Sequence, residues 1–588
     1  MTKINLIFNE NRRLQGERAR IERMDPRRQL QIVEDSFFLA SAQPGHLWYD
    51  PQRRRGCLWA GTIDNLDELG RQLPEQTAQD NPAKRLDRLY EQRGETLAEE
   101  IIGSFILIFI RDHQLHVLRD PMGVGILYYV HKPDGEWIFS DRIHSILSEG
   151  SLRPVLNRQS LMELMAMGPG ASEGKTLLKN ICELPMGHRL RIDGRKSELR
   201  EVAGVHLQRH TEDLATTQAH VRELVCASLN RQMASGSIRA AFLSGGLDSS
   251  ILCALAYRNC PQLQTVSLDY EENDRYFQGY AYQTSRDAEY IQTMLQRYPT
   301  RHRSLTIPQR QCSELLQEAM IAREGPGMAD IDSSLLWMYR QVVQDVPSIL
   351  TGECSDELFG GYPWFYRSDL VNLDGFPWLQ SLPQRVRLLK KPLNELDFEG
   401  YLMQAYRQAV SRIPQDPSDS QQDRRARKMT WLTVHGFMQT LLKRQETLAA
   451  HTGLIVRAPF CDFQLYQYLY NVPWAMKYCD GQEKGLLRRA FADLLPDTIA
   501  QRKKNPYPKT YHPAYTEAVQ RTLRNLIAQP DCALLQLLDY KALDELIASG
   551  GGSFPKPWFG QLMMGPQLLA YLIQIELWIR EEGVQIEL

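Results

Sequence analysis

The stretch Ile238-Arg239-Ala240-Ala241-Phe242-Leu243-Ser244-Gly245-Gly246-Leu247-Asp248-Ser249-Ser250 decides the fold of the larger part of this chain. A short apolar strand runs into a glycine- and serine-rich loop, and Ile251 to Tyr257 continues as a helix. Two glycines let the backbone turn tightly, the helix start supplies partial positive charge, and serine hydroxyls donate hydrogen bonds. Together they make a pocket for phosphate or pyrophosphate. No lysine stands in the loop, so it is not the Walker type. A carboxylate inside an anion loop calls for a cation, and Asp248 therefore points to Mg²⁺ bridging phosphate oxygens.

Working outward, Thr217 to Met233 has helical apolar spacing (Val221, Leu224, Val225, Leu229). Thr265-Val266-Ser267-Leu268-Asp269 reads as a second strand. Ser348-Ile349-Leu350-Thr351-Gly352 reads as a third, after a helix around Leu335 to Val343. Strands alternating with helices predict a parallel, doubly wound α/β sheet. Thr351-Gly352-Glu353-Cys354-Ser355-Asp356-Glu357-Leu358-Phe359-Gly360-Gly361-Tyr362 follows the third strand. Ligands of such sheets bind at the carboxyl ends of strands, so Asp248 and Asp356 can meet over one nucleotide. Asp416 to Asp423 is polar and reads as a surface loop.

Residues 1 to about 200 are different in kind. Phe105-Ile106-Leu107-Ile108-Phe109-Ile110, Leu115-His116-Val117-Leu118 and Ile126-Leu127-Tyr128-Tyr129 are apolar runs broken by Arg111-Asp112 and Asp120-Pro121. They predict buried strands in hairpins. Pro133-Asp134-Gly135 is a further turn, before Trp137-Ile138-Phe139. The boundary between the two patterns falls near 200–212.

The 588 residues allow several domain-sized units. With 43% hydrophobic and 24% charged residues, the composition excludes a mainly disordered chain, a collagen and a disulfide-dense miniprotein. A net charge of −2 shows no basic excess, so no nucleic-acid partner is expected. No run of about 18 apolar residues predicts a membrane span. The apolar start Ile4 to Phe8 is too short for a signal peptide, and the cytosol is the expected compartment. Ten cysteines are scattered without Cys-x-x-Cys or zinc spacing, which predicts buried, reduced thiols.

The two motifs together resemble the asparagine synthetase family, and the resemblance extends over nearly the whole chain. Ala329-Asp330-Ile331-Asp332-Ser333-Ser334, Val456-Arg457-Ala458-Pro459-Phe460-Cys461-Asp462, Glu483-Lys484-Gly485-Leu486-Leu487-Arg488 and Arg502-Lys503-Lys504 also match. In the first half, Leu118 to Gly123 looks like the family's RDxxG hairpin, and Glu183 to His188 like its linker strand. The resemblance implies an α+β N-terminal-nucleophile-type αββα sandwich over 1–205, glutaminase-like. It implies an α/β doubly wound ATP-pyrophosphatase domain with a helical C-terminal part over 210–588. It also implies ATP and Mg²⁺, with a carboxylate adenylated at the α-phosphate and an amine then displacing AMP. On that footing Ser244, Gly245, Gly246, Asp248, Ser249 and Ser250 hold pyrophosphate, and Asp248 and Asp356 hold Mg²⁺. Backbone near Leu243, Leu268 and Gly352 holds adenosine. Lys484 matches the family's lysine on the α-phosphate and pyrophosphate, and Glu353 its glutamate beside the reacting carbonyl. Family members are often dimers.

Two departures qualify the resemblance. Glutamine-hydrolysing members begin Met-Cys-Gly, and this sequence begins Met1-Thr2-Lys3, leaving Thr2 as a candidate hydroxyl nucleophile. The family's Asn-Gly-Glu reads Ala60-Gly61-Thr62, and its Ser-Asp-Thr-Glu reads Asn81-Pro82-Ala83-Lys84, which predicts an inactive glutaminase. Near the acceptor site, Asp-Arg-Met-Ser-Met-Ala reads Glu446 to His451, and Glu-Val-Arg reads Ile455-Val456-Arg457. These changes predict softened polar recognition and a redirected pocket. Lasso-peptide macrolactam synthetases and β-lactam synthetases share such decay, although Glu353 disfavours β-lactam formation. Three readings follow. One is an amide ligase for a peptide or small-molecule carboxylate and an amine, served by a precursor peptide and its processing protease, with a groove near Trp364, Phe365 and Tyr366. The second is an asparagine synthetase using free ammonia. The third is a non-catalytic binding protein, which retention of Asp248, Asp356 and Lys484 opposes.

Overall fold

The computed structural model describes residues 3–25, 30–74, 80–194, 196–234, 236–277 and 286–588; Thr2 lies outside them. The chain divides into two compact units. The first is Met1–Leu161, Ala171–Gly204 and Glu582–Leu588, and the second is Met162–Gly170 and Val205–Glu581.

The strands of the first unit are β1 (Ile4–Phe8), β2 (Gln31–Glu34), β3 (Phe38–Ala42), β4 (Leu47–Asp50), β5 (Arg55–Ile63), β6 (Gly103–Arg111), β7 (Gln114–Arg119), β8 (Tyr128–His131), β9 (Trp137–Ser140), β10 (Val155–Asn157), β11 (Cys182–Glu183), β12 (His188–Asp193) and β13 (Lys196–Glu201). Two antiparallel six-stranded sheets form, in the orders β11-β8-β9-β1-β3-β2 and β13-β12-β7-β6-β5-β4. The two-residue period of a strand explains how they stack. Along β6, Ile106, Ile108 and Ile110 join β1, β3 and β9 in the core between the sheets. Phe105, Leu107 and Phe109 face the other way and pack on the helix Pro82–Arg93. The result is the expected sandwich. Asp112 and His113 make the β6–β7 turn, and Gly135, at φ +86°, closes the β8–β9 turn. Pairing of β8 begins at Tyr128, so Ile126 and Leu127 lie before the strand.

The second unit holds β14 (Ala240–Phe242), β15 (Gln264–Tyr270), β16 (Arg301–Ile307), β17 (Ser348–Leu350) and β18 (Ile455–Arg457), all parallel, in the order β16-β15-β14-β17-β18. The chain builds outward from β14 to β16, then returns to the other side of β14 for β17 and β18. A crevice therefore opens between the carboxyl ends of β14 and β17. The rest of the unit is helical, ending in Gly565–Glu581.

Sequence periodicity does not see two exchanges between the units. β19 (Gln585–Glu587) pairs in parallel with β10, so the last residues belong with the first unit. Met162–Gly170 belongs with the second, where the buried Arg385 donates to the carbonyls of Met165 and Ala166. The polar stretch after Asp416 is a loop only to Ser420. Ser420 accepts from the Asp423 N–H and caps the helix Gln421–Leu432, so Gln421 to Asp423 is its first turn. All ten cysteines are free thiols, five of them buried and five half-buried. Among the described residues no helix is long and apolar enough to cross a membrane.

Candidate functional site

The loop after β14 is held open by its own polar groups. Gly245 sits at φ +65°, and a Cβ there would lie 2.6 Å from that of Tyr290, so the turn requires glycine. The Ser249 hydroxyl accepts from the Ser244 N–H at 3.2 Å, and the two hydroxyls meet at 3.1 Å. Gly246 caps the thirteen-residue helix Leu247–Asn259, whose first N–H groups face the crevice end of β14. Ser250 is fully buried beneath the loop.

The second loop leaves β17 and approaches the first closely. A Cβ on Gly352 would stand 3.1 Å from Asp248 Cβ and from the Ser249 nitrogen. Ser355 donates to Asp248 Oδ1 at 2.7 Å, tying the loops together. Lys484, almost fully buried, bridges them. Its Nζ lies 2.6 Å from Asp248 Oδ2 and 2.5 Å from Asp356 Oδ1. Lys504 Nζ lies 2.5 Å from Asp356 Oδ2. Burial works against a charged Asp356, but the two ammonium groups outweigh it and hold the carboxyl below its ordinary range. Burial likewise opposes a charged Lys504, and Asp356 and Asp248 reverse that and raise it. Glu357, fully buried behind Asp356, is pushed up by burial and by the charges of Asp356 and Glu353; the Tyr362 hydroxyl donates to it at 2.9 Å. Gly361 lets these groups converge, since a Cβ there would meet Asp356 Oδ1 at 2.0 Å and Lys484 Cε at 2.3 Å.

A cavity of about 180 Å³ opens over this arrangement. Leu243, Ser244, Gly246, Asp248, Ser249, Leu268, Gly352, Glu353 and Asp356 all line it, with Tyr339 and Tyr507 as an apolar wall. Gly245, Ser250 and Lys484 act from beside or beneath it. Two carboxylates at the mouth of an anion loop suit Mg²⁺, a hard cation that takes one or two carboxylates and completes its shell with phosphate and water. The lysines supply mobile positive charge for a second acidic group.

Sequence reasoning passed over four residues here. Lys504 and Arg502 sit in a matched segment that carried no assigned role; Arg502 donates to the Ser244 carbonyl at 3.1 Å and pairs with Asp287 at 2.5 Å, and its guanidinium lies 3.8 Å from the Tyr290 ring. Gly361 shows its need only in three dimensions. Arg444, in the helix Met438–Thr452, is 3% exposed and places Nη2 3.4 Å from Glu353 Oε1. It lies one helical turn before Thr447, on the same face, where sequence comparison registers a missing arginine.

Two expectations need correction. The substituted acceptor positions do not line the cavity. Thr447 donates back to the Lys443 carbonyl of its own helix, Ala449 packs in the core beside Leu448 and Leu454, and Ile455 is 48% exposed. These positions therefore lie away from this cavity, and the buried cation beside Glu353 is Arg444. Nor is there an open groove at Trp364 and Phe365. Both are buried, Trp364 against Tyr362, Trp378 and Phe437, while Tyr366 remains half-buried, stacked on Tyr478. Aromatic side chains of this size close a core rather than line a surface when neighbours can sandwich them.

In the first unit, Ala60 packs in the core between the sheets with Leu47, Leu58 and Ile106. Thr62 meets the Ser104 hydroxyl at 3.2 Å. Asn81 caps the helix Pro82–Arg93 by accepting from the Lys84 N–H, so this segment is a helix start. Buried Asp120 accepts from the N–H groups of Met122, Val124 and Gly125, and Arg119 donates to the Gly123 carbonyl, so the hairpin is held by its own side chains.

A family model described as asparagine synthase matches residues 220–580, and one described as a glutamine amidotransferase domain matches residues 32–202. Asparagine synthetase [glutamine-hydrolyzing] 3 of Bacillus subtilis (strain 168) is 36% identical over 542 residues, covering 90% of this chain and 88% of that protein. Asparagine synthetase [glutamine-hydrolyzing] 1 of the same organism is 24% identical over 536 residues, covering 83% and 82%.

Proposed function

Since the chain belongs to the asparagine synthetase family, an ATP-dependent carbon–nitrogen ligase, we propose that it activates a carboxylate as its adenylate and couples it to an amine without hydrolysing glutamine. The carboxylate of this reading is carried by a peptide, and the product is a macrolactam of the lasso type. The observation that carries the ligase half is the meeting of Asp248, Asp356, Lys484 and Lys504 around one anion loop. The absence of glutaminase activity rests on the first unit, where apolar Ala60 fills the place of the family's asparagine inside the sandwich.

The residues divide the work as follows. Asp248 and Asp356 would hold Mg²⁺, which would supply positive charge against the phosphates. Ser244, Ser249 and the first N–H groups of Leu247–Asn259 grip the pyrophosphate. Lys484 follows negative charge as it moves from the pentavalent α-phosphorus to the departing pyrophosphate. The amine then attacks the acyl carbon, a proton leaves its nitrogen, and AMP departs. In this reading Glu353, whose side chain is 31% exposed, takes that proton.

The 36% identity favours a second reading, an asparagine synthetase fed by free ammonia. Pyrophosphate release from ATP and Mg²⁺ separates the two. The assay is run with aspartate plus ammonium, with aspartate plus glutamine, and with linear peptides bearing a free N-terminus and an internal Asp or Glu. The proposal expects turnover with peptide alone and a product lighter by one water. Asparagine formed from ammonium establishes the second reading, and asparagine formed from glutamine overturns both.

A further inference from the structure

Cys354 stands where an L-residue is costly. It begins the turn into Ser355–Phe359 at φ +74°, ψ −9°, a left-handed conformation that is costly for a side-chain-bearing residue and readily adopted by glycine. It is buried, lines the nucleotide cavity, and sits between Glu353 and the Ser355 hydroxyl that holds Asp248. The thiol is in hydrogen-bond contact with the thiol of Cys461, which precedes the capping residue Asp462 of the helix Phe463–Asn471. That helix packs beside Ser355–Phe359, and Phe359 meets Phe460 edge-on with centroids 6.3 Å apart. Cys461 is half-buried, whereas Cys354 is buried. Neither thiol has a part in the chemistry derived above. A strained backbone kept by a thiol that touches a second thiol is the kind of outlier from which function is inferred.

We propose that Cys354 and Cys461 are a modification site, a dithiol that a small-molecule disulfide of the glutathione class oxidises to an intrachain disulfide, thereby weakening MgATP binding. Cys461 loses its proton and attacks one sulfur of the disulfide, giving a mixed disulfide and one thiol. Cys354 then loses its proton and displaces the second thiol, forming the Cys354–Cys461 bond. The protein is oxidised by two electrons, and one disulfide is reduced to two thiols. The new bond draws Cys354 toward Cys461 and with it the Ser355–Asp248 contact. The effect on MgATP rests on the proposed ligase site; formation of the bond does not.

The test uses the full chain, treated with dithiothreitol or with excess oxidised glutathione. Free thiols are then alkylated, the protein is digested without reduction, and peptides are read by mass. MgATP affinity is measured by calorimetry on the same samples. Expected are a Cys354–Cys461 linked peptide, an affinity at least tenfold weaker, and recovery on reduction. Cys461→Ser is expected to keep the affinity of the reduced chain under oxidant, and Cys354→Gly to give no linked peptide. Alkylation of both thiols after oxidation, a linked peptide with unchanged affinity, or oxidant sensitivity that persists in Cys461→Ser would each overturn the proposal. A reduced chain that binds no MgATP counts against the ligase reading, while the alkylation pattern still judges the dithiol.

Discussion

Lys484 combines three conditions that rarely coincide: near-complete burial, a left-handed backbone at φ +55°, and two carboxylates within 2.8 Å of its ammonium. A compact point charge fits between Asp248 and Asp356, and a planar guanidinium does not. K484M is therefore expected to slow pyrophosphate release by about 10²–10³-fold, the scale of losing one preorganised electrostatic group, and K484R to recover little of it. Steady-state assay with whichever carboxylate and amine support turnover checks both. Arg444 acts differently, through Glu353. R444Q removes the cation paired with Glu353 without touching the phosphate loop. The expected outcome is MgATP affinity within about twofold of the parent and an amide-forming rate down by about tenfold or more, less than the ~10²-fold loss expected on removing a general base outright. R444K should recover part of the rate. Equal losses in binding and rate would instead mark Arg444 as structural support only. Arg444 was not legible in the sequence, because Lys443-Arg444 on a helix reads as a solvated face until the fold turns that face inward.

At the scale of elements, the two loops are one device, closed by glycine at Gly352 and Gly361. G361A places a methyl group 2.0 Å from Asp356 Oδ1, and the carboxylate must swing off Lys484. MgATP affinity is expected to fall at least tenfold while the melting temperature moves little, since the displaced group is a side-chain end. Calorimetric titration and a thermal melt test this together. The short helix Trp474–Lys477 carries a different cost. Lys477 is buried, and burial, with Arg427 adding to it and Asp423 opposing, lowers its amine to about 7. In the unfolded chain a lysine titrates near 10.4. Folding therefore releases this proton, and the penalty is greatest below about pH 7 and shrinks as pH rises toward 10. K477M should raise the melting temperature at pH 6 by more than at pH 9; an equal gain at both would mean that Lys477 finds a compensating charge in the fold. The phosphate loop was legible in the sequence because glycine, serine and aspartate there act locally, between a strand and a helix. The groove at Trp364 and Phe365 was misread because exposure depends on distant partners such as Phe437.

For the whole molecule, the decisive question is whether the first unit still feeds nitrogen to the second. With Ala60 in the apolar core and Asn81 employed as a helix cap, glutamate release from glutamine is expected to stay at background with or without MgATP and carboxylate; an enzyme-coupled glutamate assay decides it. The sequence by itself determined the two-part organisation, the parallel sheet and the strand–loop–helix course of the glycine- and serine-rich loop. Those depend on short-range patterns: alternation along β6, strand-to-helix alternation from β14 onward, and a contiguous run of residues whose backbone makes the pocket. Only the tertiary structure decided that β19 returns to pair with β10, that Arg444 faces Glu353, and that Cys354 touches Cys461. Each of these joins residues far apart in the chain, through packing that no local propensity encodes, and so becomes visible only when the core has brought them together.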